Sequence, residues 1–331
     1  MKQKLLTIVV PVYKVEPYIN KCLDSCILDD EKLMEQLEVI IVNDGTPDNS
    51  AEMSREYVKR YPKTFRQIDK ENGGHGSAWN AGLKEATGKY LRFLDSDDWL
   101  VNLEKFMIDI SHCDTDLVFT QMDKFMVEMN ELVRFPVVEE CNIVKSINSF
   151  PYWKTNDFIV ANFHYCTYKT KMLQPLYPLF DEHVFYDDMI LHIVPIFLAN
   201  DYIVYDYPLY QYLIGRAGQT MSPENMRKHV AFHRQEILKE YAFYLLHKDY
   251  ASEHQRLWGA HVLLSCAGQS YIPKLPELSW REFKKQATYY RYLIFALGEL
   301  PKVNKQTRRL LKYPLCLTYV LEKIRLWKNK K

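Results

Sequence analysis

The stretch YLRFLDSDDWL, residues 90–100, sets an apolar, β-forming run (Tyr90, Leu91, Phe93, Leu94) directly against Asp95-Ser96-Asp97-Asp98. Three carboxylates in four residues repel one another, and they are poorly hydrated beside an apolar strand. Two readings fit. A divalent cation carrying a phosphorylated ligand would neutralise the cluster, because hard cations take carboxylate oxygens and keep positions open for phosphate. Alternatively the acids form a turn that caps the next helix through Asp97 or Asp98 and Asn102.

Working outward, the flanking sequence alternates strand and helix. Leu5–Val12 is a continuous apolar run, the pattern of a strand covered on both faces. Pro17–Leu28 carries Ile19, Cys22, Leu23, Cys26 and Ile27 at helical spacing. Leu37–Val42 is a second buried strand, closed by Asn43-Asp44-Gly45. A helix is predicted from about Ala51 to Tyr61, before Pro62. Phe65–Asp69 is a shorter strand. Asn72-Gly73-Gly74-His75-Gly76 reads as a loop, and Ser77 as the cap of a helix running to about Ala86. Tyr90–Leu94 is the fourth strand. This βαβαβαβ order predicts an α/β fold with an open, mostly parallel sheet. Ligands of such sheets bind beyond the carboxyl ends of the strands. Asn43–Ser50, Asn72–Ser77 and Asp95–Asp98 would converge there, and that convergence favours the metal reading.

Beyond Asn102 a helix to about His112, a strand at Leu117–Gln121 and a hairpin near Met126–Val138 are expected. Tyr186-Asp187-Asp188 leads an apolar helix within Phe180–Leu198. Two strands follow, Tyr202–Tyr205 and Leu209–Ile214. From Ser222-Pro223-Glu224 onward the pattern is helical, with capping chemistry at Ser222. The division read from this pattern is 1–115, 116–221 and 222–331.

Composition bounds the rest. The chain has 331 residues, 47% hydrophobic and 14% aromatic, which describes a packed protein and excludes a disordered one. Net charge is +1, which gives no reason to expect nucleic acid as a partner. Yet residues 301–331 hold ten Lys/Arg against one acid, Glu322. Interleaved Leu, Tyr and Trp side chains make that tail a candidate for an anionic membrane surface. A solvated terminal helix or a homodimer contact is the competing use. Seven scattered cysteines without a CxxC pair fit a reducing cytosol. The N-terminal apolar run is broken by Pro11 and lacks a small-residue cleavage site, so a buried strand is expected there rather than a signal peptide. No run of about 18 apolar residues predicts a membrane span. The expected location is cytoplasmic, peripheral to the inner face of the cell membrane.

TIVVPVYKVEPYINKCLDS, EVIIVNDGTPDNS and ENGGHGSAWNAGLKEATGKYLRFLDSDDWL, in this order over about residues 5–100, resemble the family 2 glycosyltransferases of GT-A fold. A weaker likeness continues through FYDDM and GRAGQT to about Ser222. The resemblance implies a GT-A sheet with flanking helices and an inverting transfer of sugar from a nucleotide-diphosphate donor to a hydroxyl, with Mn2+ or Mg2+ as cofactor. The variant with His75 resembles a subset found in bacterial surface-polysaccharide clusters. The donor implied is a UDP-sugar and the acceptor a glycan, lipid-linked.

By that resemblance the metal falls to Asp97 and Asp95, with Asp95 alternatively on the ribose and Asp98 left to cap a helix. Asp44 matches the acid that reads the base, a role its strand-end place favours, with an Asp-Gly turn as the structural alternative. Pro11, Val12 and Tyr13 would line the base pocket; Tyr13 either stacks on the base or is a core aromatic. Asn72, Gly74, His75, Ser77 and Ser96 would contact the donor, His75 also being explicable as a loop residue. Trp79 stands where relatives often have Arg. Asp188 matches the general base, with helix capping as its structural alternative. Arg216, Gln219 and Thr220 match a loop that meets the diphosphate, where a guanidinium suits phosphate. His164 and Tyr165 fall near the acceptor or in the core. Two other classes remain: a non-catalytic GT-A partner of another transferase, and a nucleotidyltransferase. The latter usually shows a glycine-rich basic loop after its first strand, where this chain has PVYKVEPY.

Overall fold

A computed structural model describes residues 3–128, 130–135, 141–150, 162–215, 225, 228–271, 279–297 and 312–328. These fall into two compact units, one reaching to residue 225 and one beginning at Lys228.

The first unit is an α/β sheet. Its strands are β1 (Leu6–Val12), β2 (Leu37–Asp44), β3 (Phe65–Lys70), β4 (Tyr90–Phe93), β5 (Trp99–Leu100), β6 (Leu117–Met126), β7 (Glu131–Phe135), β8 (Lys145–Ser146), β9 (Cys166–Lys169) and β10 (Asp201–Ile214). The helices are α1 (Ile19–Asp24), α2 (Glu31–Met34), α3 (Ser50–Arg60), α4 (His75–Glu85), α5 (Leu103–Ser111), α6 (Thr170–Leu173) and α7 (Val194–Leu198). The strand order is β3-β2-β1-β4-β9-β6-β10-β5, with β7 beside β6 and β8 beside β10. β1, β2, β3 and β4 are mutually parallel, and β9 runs antiparallel between β4 and β6.

The apolar runs explain this order. β1 and β2 are buried at every residue, as strands in the middle of a covered sheet must be. β1 lies between β2 and β4, so the chain winds one way through β2 and β3 and then returns to the other side of β1. That reversal opens a crevice beyond the carboxyl ends of β1 and β4. Tyr13 follows β1, Asp44 ends β2, and Asp95–Asp98 follow β4, so all three reach the same rim.

The opposite end is closed by a buried network. Glu38 accepts from Thr7 Oγ1 (2.6 Å) and Thr87 N (2.9 Å), and pairs with Arg66 (3.1 Å). Gly88 N donates to Thr7 Oγ1 at 2.8 Å, with its backbone pressed against β1.

Several boundaries differ from those expected. The acidic turn at Tyr186 does not lead one helix: Asp187–His192 is a 3₁₀ segment, and α7 is a separate short helix. Tyr186 has φ 68°, and Pro195 in the first turn of α7 has no N–H to continue a preceding helix. The two strands expected at 202–205 and 209–214 are one strand, β10, with register shifts on both sides of Pro208, which cannot donate to a ladder. β6 runs on to Met126 because β7 pairs with it as the second arm of a hairpin. α4 begins at His75 with Gly74 as its cap, not at Ser77.

In the second unit the helices are α8 (Val230–His247), α9 (Glu253–Tyr271), α10 (Trp280–Leu297) and α11 (Leu315–Lys328). A capping box starts α10: Ser279 Oγ donates to Glu282 Oε2 (2.6 Å), and Glu282 N donates back to Ser279 Oγ (3.4 Å). Tyr319 of α11 packs its ring on Trp280 and Phe283 of α10. Among the described residues no helix is long and apolar enough to cross a membrane. Ser222 lies outside the described residues.

A Cβ at Gly88 would meet the Thr7 backbone nitrogen at 2.5 Å and Leu6 C at 2.8 Å. Backbone in the middle of a sheet cannot yield. Gly88→Ala is expected to lower stability by about 1–3 kcal/mol, the usual cost of overpacking, read by urea unfolding.

Candidate active site

The acidic turn is built on β4. Leu94 N still donates to Val9 O (3.0 Å), and Asp98 N closes a turn on Asp95 O (3.1 Å). The three carboxylates then part company. Asp98 is 1% exposed and accepts from Tyr210 OH (2.6 Å) and Leu213 N (2.8 Å). It therefore fastens β10 to the turn and caps no helix. The cap of α5 is Asn102, whose side chain donates to Pro208 O instead. Burial, then repulsion from Asp97 and Asp95, pushes the Asp98 carboxyl well above the carboxylate range. Asp95 and Asp97 stay partly exposed, while Ser96 is buried.

His75 stands against this turn. Its Nε2 lies 3.1 Å from Asp95 Oδ1, and its Nδ1 lies 3.0 and 3.2 Å from the two oxygens of Asp187. Burial works against a charged imidazole, but Asp187 and Asp95 outweigh it and hold the ring well above its ordinary value. Asp188 follows at the head of the 3₁₀ segment. Burial, with Asp187 beside it, pushes its carboxyl up to about 6 against the pull of His192 and His75. A carboxyl with that value can exchange a proton near neutrality.

The glycine-rich segment does work that its sequence did not announce. Gly73 N and Gly74 N donate to the two oxygens of Asp44 (2.9 and 2.8 Å). Asn72 Nδ2 (3.0 Å) and Lys70 Nζ (2.7 Å) donate to them as well. Asp44 is 3% exposed, so its carboxylate holds this loop to β2. The far side of the segment receives residues 179–187. Asn80 Oδ1 accepts from Leu179 N (2.9 Å) and Phe180 N (3.0 Å), and Asn80 Nδ2 donates to Phe180 O (2.8 Å). Ser77 Oγ donates to Glu182 (2.8 Å), and His183 N donates to Gly73 O (2.7 Å). At Gly76 a Cβ would meet Asp181 O at 2.3 Å and Asp187 Oδ2 at 2.9 Å. Trp79 is fully buried and stacks on Phe93, with Phe163 and Phe180 at its edges, so it belongs to the core.

Pro11 and Val12 are buried at the end of β1, whereas Tyr13 is 43% exposed, which removes the core alternative for its ring. His164 is 8% exposed, and burial pushes its imidazole down to about 3. Nδ1 is hydrogen-bonded to Asn162 Oδ1, and Nε2 has no hydrogen-bond partner among the described residues. One ring nitrogen and one oxygen each of Asp95 and Asp98 lie within 4.8 Å of one another. The rim thus gathers Tyr13, Asp44, Asn72, Gly74, His75, Asp95, Ser96, Asp97 and Asp188. Ser77 sits behind it, facing Glu182. Arg216, Gln219 and Thr220 lie outside the described residues.

Sequence reasoning missed the pairing of His75 with Asp187, the hold of Tyr210 on Asp98, and the approach of His164 to the acidic turn. Nothing local signals partners 112 residues apart, as His75 and Asp187 are.

Residues 7–168 match the family model described as glycosyl transferase family 2. Over this segment, just under half of the chain, the sequence is similar to glycosyl transferase family 2. It is 45% identical over 96 residues to the uncharacterized glycosyltransferase EpsJ of Bacillus subtilis, covering 29% of this chain and 27% of that protein. It is 40% identical over 92 residues to the minor teichoic acid biosynthesis protein GgaB of the same organism, covering 28% of this chain and 10% of that protein. The matched segment is therefore about a quarter or less of either relative's length. The crystal structure of S. aureus TarS 1–349 in complex with UDP-GlcNAc superposes with a TM-score of 0.66 at 19% identity, over 96% of this chain and 89% of that one. This likeness identifies the fold as GT-A.

Asn80→Ala would leave two backbone N–H groups and one carbonyl buried without partners. A loss of about 2–3 kcal/mol is expected in chemical denaturation, with new protease cleavage confined to residues 179–187.

Proposed function

We propose that the protein is an inverting, metal-dependent glycosyltransferase. It would move a sugar from a nucleotide-diphosphate donor, a UDP-sugar, to a hydroxyl of a lipid-linked glycan during bacterial surface polysaccharide synthesis. The observation that carries this reading is that Asp187, next to Asp188, shares His75 with Asp95 in the acidic turn after β4.

The donor set fits a divalent ion. Asp95 and Asp97 offer carboxylate oxygens and are partly open, and burial, then the charge of Asp97 and Asp95, drives Asp98 towards its neutral form. Asp97 and Asp95 would hold Mn2+ or Mg2+, which supplies charge neutralisation for the leaving diphosphate. The remaining chemistry belongs to the chain. Tyr13 offers an exposed ring for the base, above Pro11 and Val12. Asp44 holds the Asn72–Gly74 loop in place beside the base, and Ser96 is buried within the acidic turn on the donor side. Asp188 takes the proton from the acceptor hydroxyl as its oxygen attacks the anomeric carbon. The new C–O bond forms on the face opposite the departing diphosphate oxygen, whose bond to that carbon breaks, and the configuration inverts. Arg216, Gln219 and Thr220 are assigned to the diphosphate on the strength of the GRAGQT motif alone.

The basic 301–331 tail is assigned to an anionic membrane surface at the cytoplasmic face, which would bring the enzyme to a lipid-linked acceptor. A homodimer contact is the alternative use of its apolar residues. The relatives' glycosyltransferase and teichoic acid names support the substrate class. A role as a non-catalytic partner sits less well with the retention of Asp95, Asp97 and Asp188 on one rim.

Release of UDP from UDP-sugars with Mn2+ tests the reading. Asp97→Ala and Asp188→Asn should each lower kcat/KM by about 100-fold or more; equal turnover in wild type and both variants would refute the roles given. Because a base must be ionised, turnover should fall as pH drops through about 6, the value to which burial raises Asp188. That limb should be absent in Asp188→Asn. Deleting residues 301–331 should abolish sedimentation with anionic liposomes, and unchanged binding would remove the membrane assignment.

A further inference from the structure

We propose that His75 is a positioning residue that ties Asp187, and through it the base Asp188, to Asp95 on the donor side. This rests on the assignment of Asp188 made above. The two ring nitrogens are both spent on carboxylates: Nε2 on Asp95 at 3.1 Å, and Nδ1 on Asp187 at 3.0 Å. Neither is left for a diphosphate, so the donor contact expected from the motif is replaced by a strut between two acids. Each element around the strut is fixed. His75 opens α4, and its ring centroid lies 4.2 Å from that of buried Trp79. Asp187 is 3% exposed and sits directly over Gly76, where no Cβ fits. Tyr186, at φ 68°, turns the chain into the 3₁₀ segment just before it.

Consecutive Cα atoms are about 3.8 Å apart, so a shift at Asp187 moves Asp188 with it. A misplacement of about 1 Å in a reacting group costs on the order of 100-fold in rate. His75 therefore acts on the chemical step through Asp188, and not on donor affinity.

The test compares wild type, His75→Gln, Asp187→Asn and the double variant. UDP affinity is measured by calorimetry with Mn2+, UDP release gives kcat and KM, and a crystal structure is determined for His75→Gln. Each single variant should lose about 10–100-fold in kcat, with KM and UDP affinity within about threefold of wild type. The double variant should be no worse than the poorer single one, because both remove the same strut. The Asp188 carboxylate should be displaced by about 1 Å in the crystal. A tenfold loss of UDP affinity with unchanged kcat would make His75 a donor ligand and overturn the proposal, as would additive effects. If His75→Gln fails to fold, Asp187→Asn carries the same comparisons, crystal structure included. If the wild type releases no UDP from any donor, the assignment of Asp188 as base fails. The position of the Asp188 carboxylate then still decides the strut: displaced supports it, unmoved overturns it.

Discussion

Everything at the rim depends on the seating of residues 179–187 against the first turns of α4. The contact joins the Asn80 side chain and the Gly73 carbonyl to the backbone of residues 179–183, with Ser77–Glu182 and His75–Asp187 pairing side chain to side chain. Gly73 gives its carbonyl to His183, Gly76 offers no side chain, and the Asn80 amide satisfies Leu179 and Phe180 as a strand partner would. Such a surface accepts only a chain that arrives closely and in one register. Asp187 and Asp188 come from far along the sequence, and they reach the acids of β4 only because this seat is bare.

The electrostatics follow from that arrival. Asp187 and Asp188 join Asp95, Asp97 and Asp98 in a small volume, an arrangement that repels itself. The structure disperses the charge in three ways. Asp98 is buried under Tyr210 and held by the Leu213 N–H. His75 is shared between Asp95 and Asp187. Asp95 and Asp97 stay partly open to solvent. Burial, with the charges of Asp187 and Asp95 added, raises Asp188 into the range useful to a base. Strain between like charges and readiness for proton transfer are two consequences of one geometry.

Much of the sheet was readable from sequence because β1 and β2 are buried on both faces and leave continuous apolar runs. Asp44 at the end of β2 and Asp95–Asp98 after β4 were legible as a cluster on the rim where open parallel sheets bind ligands. Reading failed where the backbone departs from regular periods. The 3₁₀ turn at Asp187 begins from a left-handed Tyr186, and β10 continues across Pro208 through register shifts. The fate of the glycine-rich loop was also hidden. Its N–H groups look free for a phosphate in sequence, yet Asp44, 29 and 30 residues earlier, takes those of Gly73 and Gly74.

The central claim is that the acids of β4 and the acid at 188 serve one reaction centre. Crystals grown with UDP and Mn2+, with diffraction recorded at the manganese absorption edge, test it most directly. The account predicts an anomalous peak within coordination distance of Asp97 or Asp95, bridging to the diphosphate, with the Asp188 carboxylate facing the open side of that site. A diphosphate bound elsewhere, or manganese held without Asp95 and Asp97, would contradict it.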